Sequence, residues 1–566
     1  MNKTILLLAR FCKEIGLFDF VASPGSRSAP ILLALSRIGG IEIEMVMDER
    51  SAGYVALGKS LALKKPVGLF CTSGTAALNL GPAIAEAFYQ NVPLFVLTAD
   101  RPAELIDQHE GQAIRQNGLF ELHTVFSATL PSTESSEQSE AHCIRILQQA
   151  WQFSTALRPG PVHLNVPLRE PLYPNHPLDF ESVPFRVLEV KEEKSKPLLD
   201  RYVLSPLLEK WTQSPSRLVI CGQMPPDWDL RNALKALSEY GDVPIVGDLA
   251  HNQFAFPGLI HHADLFPDTA WEAPELVPDI LLTIGNGLVS KQIKRFIQRA
   301  KFREHWHIQA EGQVANPFGT ISHIIRADPE WMLTKLGEGV FFQNQKEKNK
   351  CYLKWMEWEE KTKLASQEFH FHSAWGDGKA VFTLFQNLPE KAILFPGNSM
   401  PIRYCNWNSS NLKSENQVFA NRGTSGIDGC LSTALGIAEV KIDRLVLAIL
   451  GDMGFFYDRN ALWRNSIPPN LKICILNNGG GNIFRILPAS SQLPELEGFF
   501  EMEQPFKAEL ASRESGLPYF KAKNEAELLE AIPLWLASPQ AAVLECLTDK
   551  IENALWVKNL KKWIAS

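Results

Sequence analysis

The sequence predicts an α/β chain built on three doubly wound parallel sheets. Short apolar, strand-like runs alternate with stretches of helical length along most of the chain. The alternation is interrupted twice, by a Pro- and charge-rich stretch from Pro171 to Pro197 and by the polar stretch Gln343–Lys350. With 566 residues the chain is too long for one hydrophobic core, so three domains are the natural division.

The first segment, residues 1–180, is expected to place strands at Phe18–Ala22, Ile41–Met47, Val67–Cys71, Leu94–Thr98 and Val162–Val166. Helices fit Thr4–Ile15, Ala29–Ser36, Ala52–Leu63, Ala76–Gln90 and Glu140–Thr155. The second, residues 198–345, carries strands at Leu218–Cys221, Pro244–Gly247, Ile280–Ile284, His305–Ile308 and Ile321–Ile325. A Trp- and charge-rich helix, Tyr352–Phe369, is expected to bridge to the third segment. That segment, residues 370–566, repeats the pattern with strands at Ala392–Phe395, Gln417–Ala420, Leu445–Leu450, Ile473–Leu476 and Ala542–Cys546. Three similar segments imply a duplicated architecture, although no repeat of fixed period is visible.

Hydrophobic residues at 45% and charged residues at 21% describe an ordinary soluble globular protein. A net charge of −7 argues against a general nucleic-acid binder. No apolar run reaches the length of a membrane span, and the N-terminus reads as a first helix more than a secretory signal. Nine scattered cysteines, none in a CxxC pair, indicate buried free thiols and a reducing, cytoplasmic setting. The histidines lack metal spacing; His261, His262, His370 and His372 are expected to be solvated or structural.

Chemistry concentrates at strand ends. Gly451-Asp452 closes one apolar run, and Asn477-Asn478-Gly479-Gly480-Gly481 closes the next, with a helix expected at Phe455–Ser466 and stopped by Pro468-Pro469. A carboxylate and an amide oxygen would then share one edge of a parallel sheet, where ligands bind. Hard oxygen ligands suit magnesium, which commonly arrives with phosphates. Asp and Asn after strands are also ordinary turn formers. The glycines favour the ligand reading, because they allow backbone to approach closely.

The first segment adds four loops. Ser23-Pro24-Gly25-Ser26-Arg27-Ser28 opens a helix and could hold an anion, or be a capped Pro-Gly turn. Asp48-Glu49-Arg50 opens another, where acids favour the helix N-terminus anyway. Thr72-Ser73-Gly74-Thr75 and Thr98-Ala99-Asp100-Arg101-Pro102 follow the next two strands, with Gln112 and Arg115 beyond. The third segment has Gly397-Asn398-Ser399 with Arg403, and Asn421-Arg422-Gly423-Thr424-Ser425-Gly426-Ile427-Asp428-Gly429. Arginines 27, 101, 403 and 422 recur at these edges, which predicts an anionic, multiply carboxylated substrate.

This ordered set of motifs resembles the thiamine diphosphate-dependent enzymes. Within them it is similar to the menaquinone-pathway branch that joins 2-oxoglutarate to isochorismate. The resemblance spans both outer segments in order and the middle one more weakly. It implies a pyrimidine-binding domain (1–180), a middle domain (198–345) and a diphosphate-binding domain (370–566). It further implies a transferase that decarboxylates 2-oxoglutarate and adds the four-carbon fragment to isochorismate. Asp452, Asn478 and the carbonyl of Gly480 would ligate Mg, with Mn an alternative. Glu49 would activate the cofactor, and Ile427 would be the apolar wedge that bends it. Thr72, Gly74, Gly397, Ser399, Met453, Gly454 and Ile483 fall along the cofactor. Ser26, Arg27, Arg101, Gln112, Ser399, Arg403 and Arg422 match positions that contact the acidic substrates, with Arg403 and Arg422 also acting in catalysis. Ile483, Phe484 and Leu487 would form an apolar wall. Lys291 matches one half of a basic pair whose second position here is Gln292. Met453 also departs from the wider family, which commonly has Gly directly after the aspartate. Family sites form between subunits, so a homodimer or a pair of dimers is implied. The alternatives are another thiamine diphosphate-dependent 2-oxoacid decarboxylase or synthase, and a catalytically silent protein that keeps the fold.

Overall fold

A computed structural model describes residues 3–131, 136–183, 197–341 and 349–566. Residues 184–196, within the stretch expected to link the first two segments, and 342–348, which overlap the polar stretch expected to end the second, lie outside the described residues. The first sheet contains β1 (Asp19–Ala22), β2 (Glu42–Met45), β3 (Val67–Cys71), β4 (Leu94–Asp100), β5 (Phe126–Thr129) and β6 (Val162–Pro167). The second contains β7 (Arg217–Cys221), β8 (Ile245–Gly247), β9 (Leu259–Ile260), β10 (Ile280–Ile284), β11 (Glu304–Ile308) and β12 (His323–Ile325). The third contains β13 (Ile393–Pro396), β14 (Gln417–Val418), β15 (Val446–Gly451), β16 (Leu471–Asn477), β17 (Tyr519–Ala522) and β18 (Ala542–Leu547). Paired strands run parallel.

Among the described residues each sheet has six strands, which bears out the expected fold class. The first sheet is ordered β2-β1-β3-β4-β6-β5 and the third β14-β13-β15-β16-β18-β17, so strand order repeats between them. The middle sheet, β12-β11-β10-β7-β8-β9, has a different order. The duplication is therefore of the two outer sheets, and the middle sheet follows the other common doubly wound arrangement. Its strands bury both faces: Val219 and Leu282 enter one core with Trp306, while Leu218 and Leu281 enter the other with Trp355.

Several elements differ from expectation. β5, β9 and β17 carry weak sequence signals, and each is an edge strand. An edge strand is short or buried on one side only, so the apolar run that marks a central strand is missing. The helix expected at Ala76–Gln90 is two helices, Thr75–Asn79 and Gly81–Gln90, because Pro82 fits only the first turn of a helix. The helix expected at Phe455–Ser466 instead spans Asp452–Tyr457 and gives way to a single 3-10 turn at Arg459–Leu462. The Asp458 carboxylate is drawn into buried hydrogen bonds from the Ser432 N–H (2.7 Å) and hydroxyl (2.8 Å), and the chain turns there. The helix Lys350–His372 does bridge two cores: Trp355 belongs to the middle-sheet core and Phe369 to the third.

The chain forms two compact units. One comprises Met1–Glu193, Asn421–Asp443 and Gly454–Leu471; the other comprises Lys194–Ala420, Arg444–Met453 and Lys472–Ser566. The first unit turns on a crossing of two helices, Glu49–Leu63 and Cys430–Val440. A Cβ on Gly58 would lie 2.1 Å from the Thr433 carbonyl oxygen, and one on Gly436 would lie 2.1 Å from the Val55 carbonyl oxygen. Backbone meets backbone here, and no rotamer change could make room for a methyl group. Gly436→Ala is expected to destabilise this unit by about 2–4 kcal/mol in chemical denaturation. Gly498→Ala, where a Cβ would meet nothing within 4 Å, should cost less than about 1 kcal/mol.

Candidate functional site

The loops after β1, β3 and β4 converge at one edge of the first sheet. A Cβ on Gly25 would lie 2.3 Å from Cβ of Thr72, so the turn before Ser26 and Arg27 rests directly on the loop after β3. A Cβ on Gly74 would lie 3.1 Å from Cα of Gln112, and Gly74 has φ +84. The Gly74 N–H donates to Oε1 of Gln116 (2.8 Å), whose Nε2 donates to the Ala99 carbonyl (3.0 Å) and to Oδ1 of Asn165 (3.1 Å). Arg101 donates through Nε (3.2 Å) and Nη2 (2.8 Å) to the carbonyl of Gly111, beside Gln112. Arg27 is 4% exposed and donates to the Leu168 carbonyl (2.9 Å), with Glu170 at 3.4 Å. Thr72, Gly74, Gln112, Arg101 and the turn bearing Ser26 and Arg27 are thus brought together.

The edge also holds polar atoms that the fold does not satisfy. The hydroxyls of Ser23, Ser51, Thr72 and Ser73 are buried without a hydrogen-bond partner. Such atoms cost stability unless a ligand meets them.

Glu49 begins its helix beside this edge. The Asp48 carboxylate caps that helix, accepting from the N–H of Arg50 (2.9 Å) and of Ser51 (3.2 Å). Asp48 also accepts from Nδ2 of Asn460 (2.7 Å). Arg50 donates to the Tyr457 carbonyl (2.8 Å), lies over the Tyr457 ring at 4.7 Å and pairs with Asp458 at 3.9 Å. Both neighbours of Glu49 are therefore clamped to residues 457–460. Desolvation raises the Glu49 pKa above the ordinary carboxyl value, against a hydrogen bond from its own backbone N–H and with a small addition from Asp48. A raised pKa suits a carboxyl that must keep or share a proton near neutral pH. In the same unit, a Cβ on Gly454 would lie 3.8 Å from Cβ of Ile427, which joins two residues expected at the cofactor.

The edge of the third sheet is a separate constellation. β15 and β16 are neighbours, so Asp452 and Asn478 emerge side by side. Asp452 is 1% exposed. Its Oδ2 accepts from Nε2 of Gln504 (2.6 Å), which also donates to Oδ1 of Asn477 (3.0 Å). Burial pushes the Asp452 carboxyl up to about 6, against hydrogen bonds from Gln504 and from the N–H groups of Met453 and Gly480. Asn478 donates its Nδ2 to Asp377 (2.9 Å), which the Thr548 hydroxyl (2.6 Å) also holds. That contact fixes the amide, and Oδ1 of Asn478 is buried without a partner. At Gly480, with φ +154, a Cβ would lie 2.7 Å from the Glu501 carbonyl oxygen, so the glycine run lies where side chains do not fit. A buried carboxylate, an unsatisfied amide oxygen and a glycine cradle fit a hard divalent cation that holds phosphates.

The Ser399–Arg403 turn lies in this unit. Ser399 has φ +76, and Nη1 of Arg403 donates to the Ser399 carbonyl. Gly397 packs on Leu450, to which a Cβ would approach within 3.0 Å. The Lys291 pKa is lowered by desolvation and then by the charges of Arg403 and Arg295, which places Lys291 among cations. Gln292, at the expected second basic position, donates its backbone N–H to Asp264 (3.4 Å). Ile483 packs partly buried against the third-sheet core, Phe484 meets Phe500 at 5.5 Å, and Leu487 closes the turn by donating to the Ile483 carbonyl (3.1 Å). Met453 is half-buried.

Sequence reasoning missed Asp377, Asp458 and Gln504. None stands in a glycine-rich strand-end motif, and each works by reaching a neighbour distant in sequence. Only Asp458, an acid in an otherwise apolar and aromatic run, offered a local signal. All nine cysteines are free and buried, as expected. His262 and His370 are buried, His261 is half-buried and His372 is exposed, and no metal-binding group of His, Cys, Asp and Glu occurs among the described residues. No helix among the described residues is long and apolar enough to cross a membrane.

Residues 3–119 match the model of the thiamine pyrophosphate enzyme, N-terminal TPP binding domain. The chain is 36% identical over 553 residues to the 2-succinyl-5-enolpyruvyl-6-hydroxy-3-cyclohexene-1-carboxylate synthase of Cytophaga hutchinsonii, covering 97% of this chain and 96% of that protein. It is 34% identical to the enzyme of the same name from Porphyromonas gingivalis, covering 100% of this chain and 97% of that one. The corresponding protein of Bacteroides thetaiotaomicron is 34% identical, covering 99% and 98%. With the repeated outer sheets, the paired strand-end loops and similarity along almost its whole length, the chain belongs to the 2-succinyl-5-enolpyruvyl-6-hydroxy-3-cyclohexene-1-carboxylate synthase family of thiamine diphosphate-dependent enzymes.

Proposed function

We propose that this enzyme decarboxylates 2-oxoglutarate and adds the resulting four-carbon fragment to isochorismate, using thiamine diphosphate and magnesium. The observation that carries the reading is the third-sheet edge, where Asp452 and the unsatisfied Oδ1 of Asn478 stand side by side over a glycine cradle. Asp452, Asn478 and the Gly480 carbonyl would hold magnesium and through it the diphosphate. Bound thiamine diphosphate supplies the nucleophilic carbon and the electron sink for loss of carbon dioxide. Glu49 holds a proton and donates it in a hydrogen bond to the aminopyrimidine ring, a role its raised pKa supports. Ile427, stiff through its β-branch, orients the ring from the loop that carries it. Arg403, Arg422, Arg27 and Arg101 supply the positive charge that two acidic substrates need in a protein of net charge −7. Lys291 adds to that field beside Arg403. Ser26, Gln112 and Ser399 orient the substrates by hydrogen bonds, while Ile483, Phe484 and Leu487 exclude water from the reacting fragment. The functional assembly is a homodimer or a pair of dimers in the cytoplasm, each site drawing on two subunits.

The deciding experiment supplies thiamine diphosphate, magnesium, 2-oxoglutarate and isochorismate and follows loss of isochorismate. Consumption that requires all four components is expected; a folded protein that consumes none overturns the assignment. Glu49→Gln should leave cofactor affinity near normal and slow turnover by about 10²–10⁴-fold, since the amide cannot share a proton. Unchanged turnover would remove Glu49 from the mechanism. Arg403→Ala should act differently, raising KM for the acidic substrates by about 10-fold or more with little change in cofactor affinity.

A further inference from the structure

Glu86 is a carboxylate in the middle of the otherwise largely apolar helix Gly81–Gln90, and it is 0% exposed. Four neutral donors meet it. Oε1 accepts from the Gly423 N–H (2.6 Å) and from Nε2 of Gln90 (2.5 Å). Oε2 accepts from the Thr424 N–H (2.7 Å) and hydroxyl (2.5 Å). Three of the four donors thus belong to two consecutive residues of one loop, and those residues directly follow Arg422.

The approach is close enough to dictate the residue. A Cβ on Gly423 would lie 2.6 Å from the Glu86 carbonyl oxygen, so a side chain there would push the loop off the helix. The far end of the loop is held in a matching way. The Tyr54 hydroxyl donates to Asp428 (3.1 Å), and Gly429 packs on the Tyr54 ring, 2.0 Å from a built Cβ. Nδ2 of Asn421 closes the base on the Thr433 hydroxyl (3.1 Å). Between the two pins the chain passes through Ser425 at φ +64 before reaching Ile427. A buried carboxylate is a costly way to hold a loop unless the position of that loop matters.

We infer that Glu86 is a positioning residue: by gripping the Gly423 and Thr424 amides it sets the direction in which Arg422 leaves the backbone, and so aligns that arginine with the acidic acceptor substrate. The identity of that acceptor rests on the function proposed above, whereas the grip on the loop does not. Both oxygens of Glu86 are acceptors facing donors. In Glu86→Gln one of them becomes an NH₂ group opposed to an N–H, with almost no change in volume.

The test has two arms. Hydrogen–deuterium exchange on the intact protein follows the peptide 421–429. In Glu86→Gln its exchange is expected to accelerate about 10-fold or more, while peptides from β1, β3 and β4 keep wild-type rates. This arm needs no turnover, so it judges the grip even if the proposed reaction fails, and unchanged exchange in the loop overturns the inference. The second arm is a double-mutant cycle on kcat/KM for isochorismate. Glu86→Gln alone should lose about 10- to 100-fold, and in an Arg422→Ala background it should lose less than about 3-fold more, because its effect runs through that arginine. Losses that multiply would show that Glu86 acts as general scaffolding and overturn its role in aligning Arg422. Wild-type protein that leaves isochorismate untouched overturns the functional reading, and with it the acceptor named for Arg422.

Discussion

The first compact unit depends on a place where two helices touch without side chains between them. At Gly58 and Gly436 each helix meets the carbonyl oxygens of the other, and a Cβ on either would lie 2.1 Å from one. Interiors are packed densely enough that such a contact cannot absorb even one methyl group. Its consequence is geometric. The helix that begins at Glu49 and the helix that follows the 421–429 loop are held at a fixed spacing, so the loop and the glutamate become parts of one body.

Polar contacts secure both ends of the Glu49 helix around that crossing. At its start, Asp48 and Arg50 hold residues 457–460. Toward its end, Lys59 bridges Glu44 (2.5 Å) and Glu439 (3.1 Å), and Arg464 contacts the same two carboxylates. Two acids and two bases there are mutually neutralised. Burial, with the adjacent Glu44, still pushes the Glu439 carboxyl up to about 7. Buried ionic clusters of this kind add little net stability, but they penalise any alternative register of the helices. Glycine contact sets the distance and the charges set the orientation.

The two outer sheets share a strand order and also share a use for it. In both, loops at the C-terminal ends of parallel strands carry the polar groups. The fold leaves some of these unsatisfied: four hydroxyls at the first edge and Oδ1 of Asn478 at the third. Orphaned polar atoms gathered where ligands of such sheets bind are what a protein shaped around a cofactor and its substrates should show. The helix after β10 of the middle sheet carries Lys291 within reach of the Arg403 charge. Met453 packs half-buried directly after Asp452.

The sequence by itself determined the fold class, the central strands and the loops in which the chemistry is expected. These are local quantities: a strand buried on both faces must be an apolar run, and a loop that lets a ligand approach must carry glycine and short polar residues. β3 and β10 could be bounded to the residue for that reason, while the edge strands β5, β9 and β17 could not be seen. The strand-end pair Asp452 and Asn478 was legible because both ends of one strand–helix–strand unit mark it. Tertiary structure alone decided which distant residues hold those loops. Gln504 reaches Asp452, Asp377 turns the Asn478 amide, Asp458 ends the helix begun at Asp452, and Glu86 grips the amides after Arg422. Each acts across a long separation in the chain through one or two hydrogen bonds. A hydrogen bond leaves no periodicity in the sequence, so only the folded backbone reveals its partner.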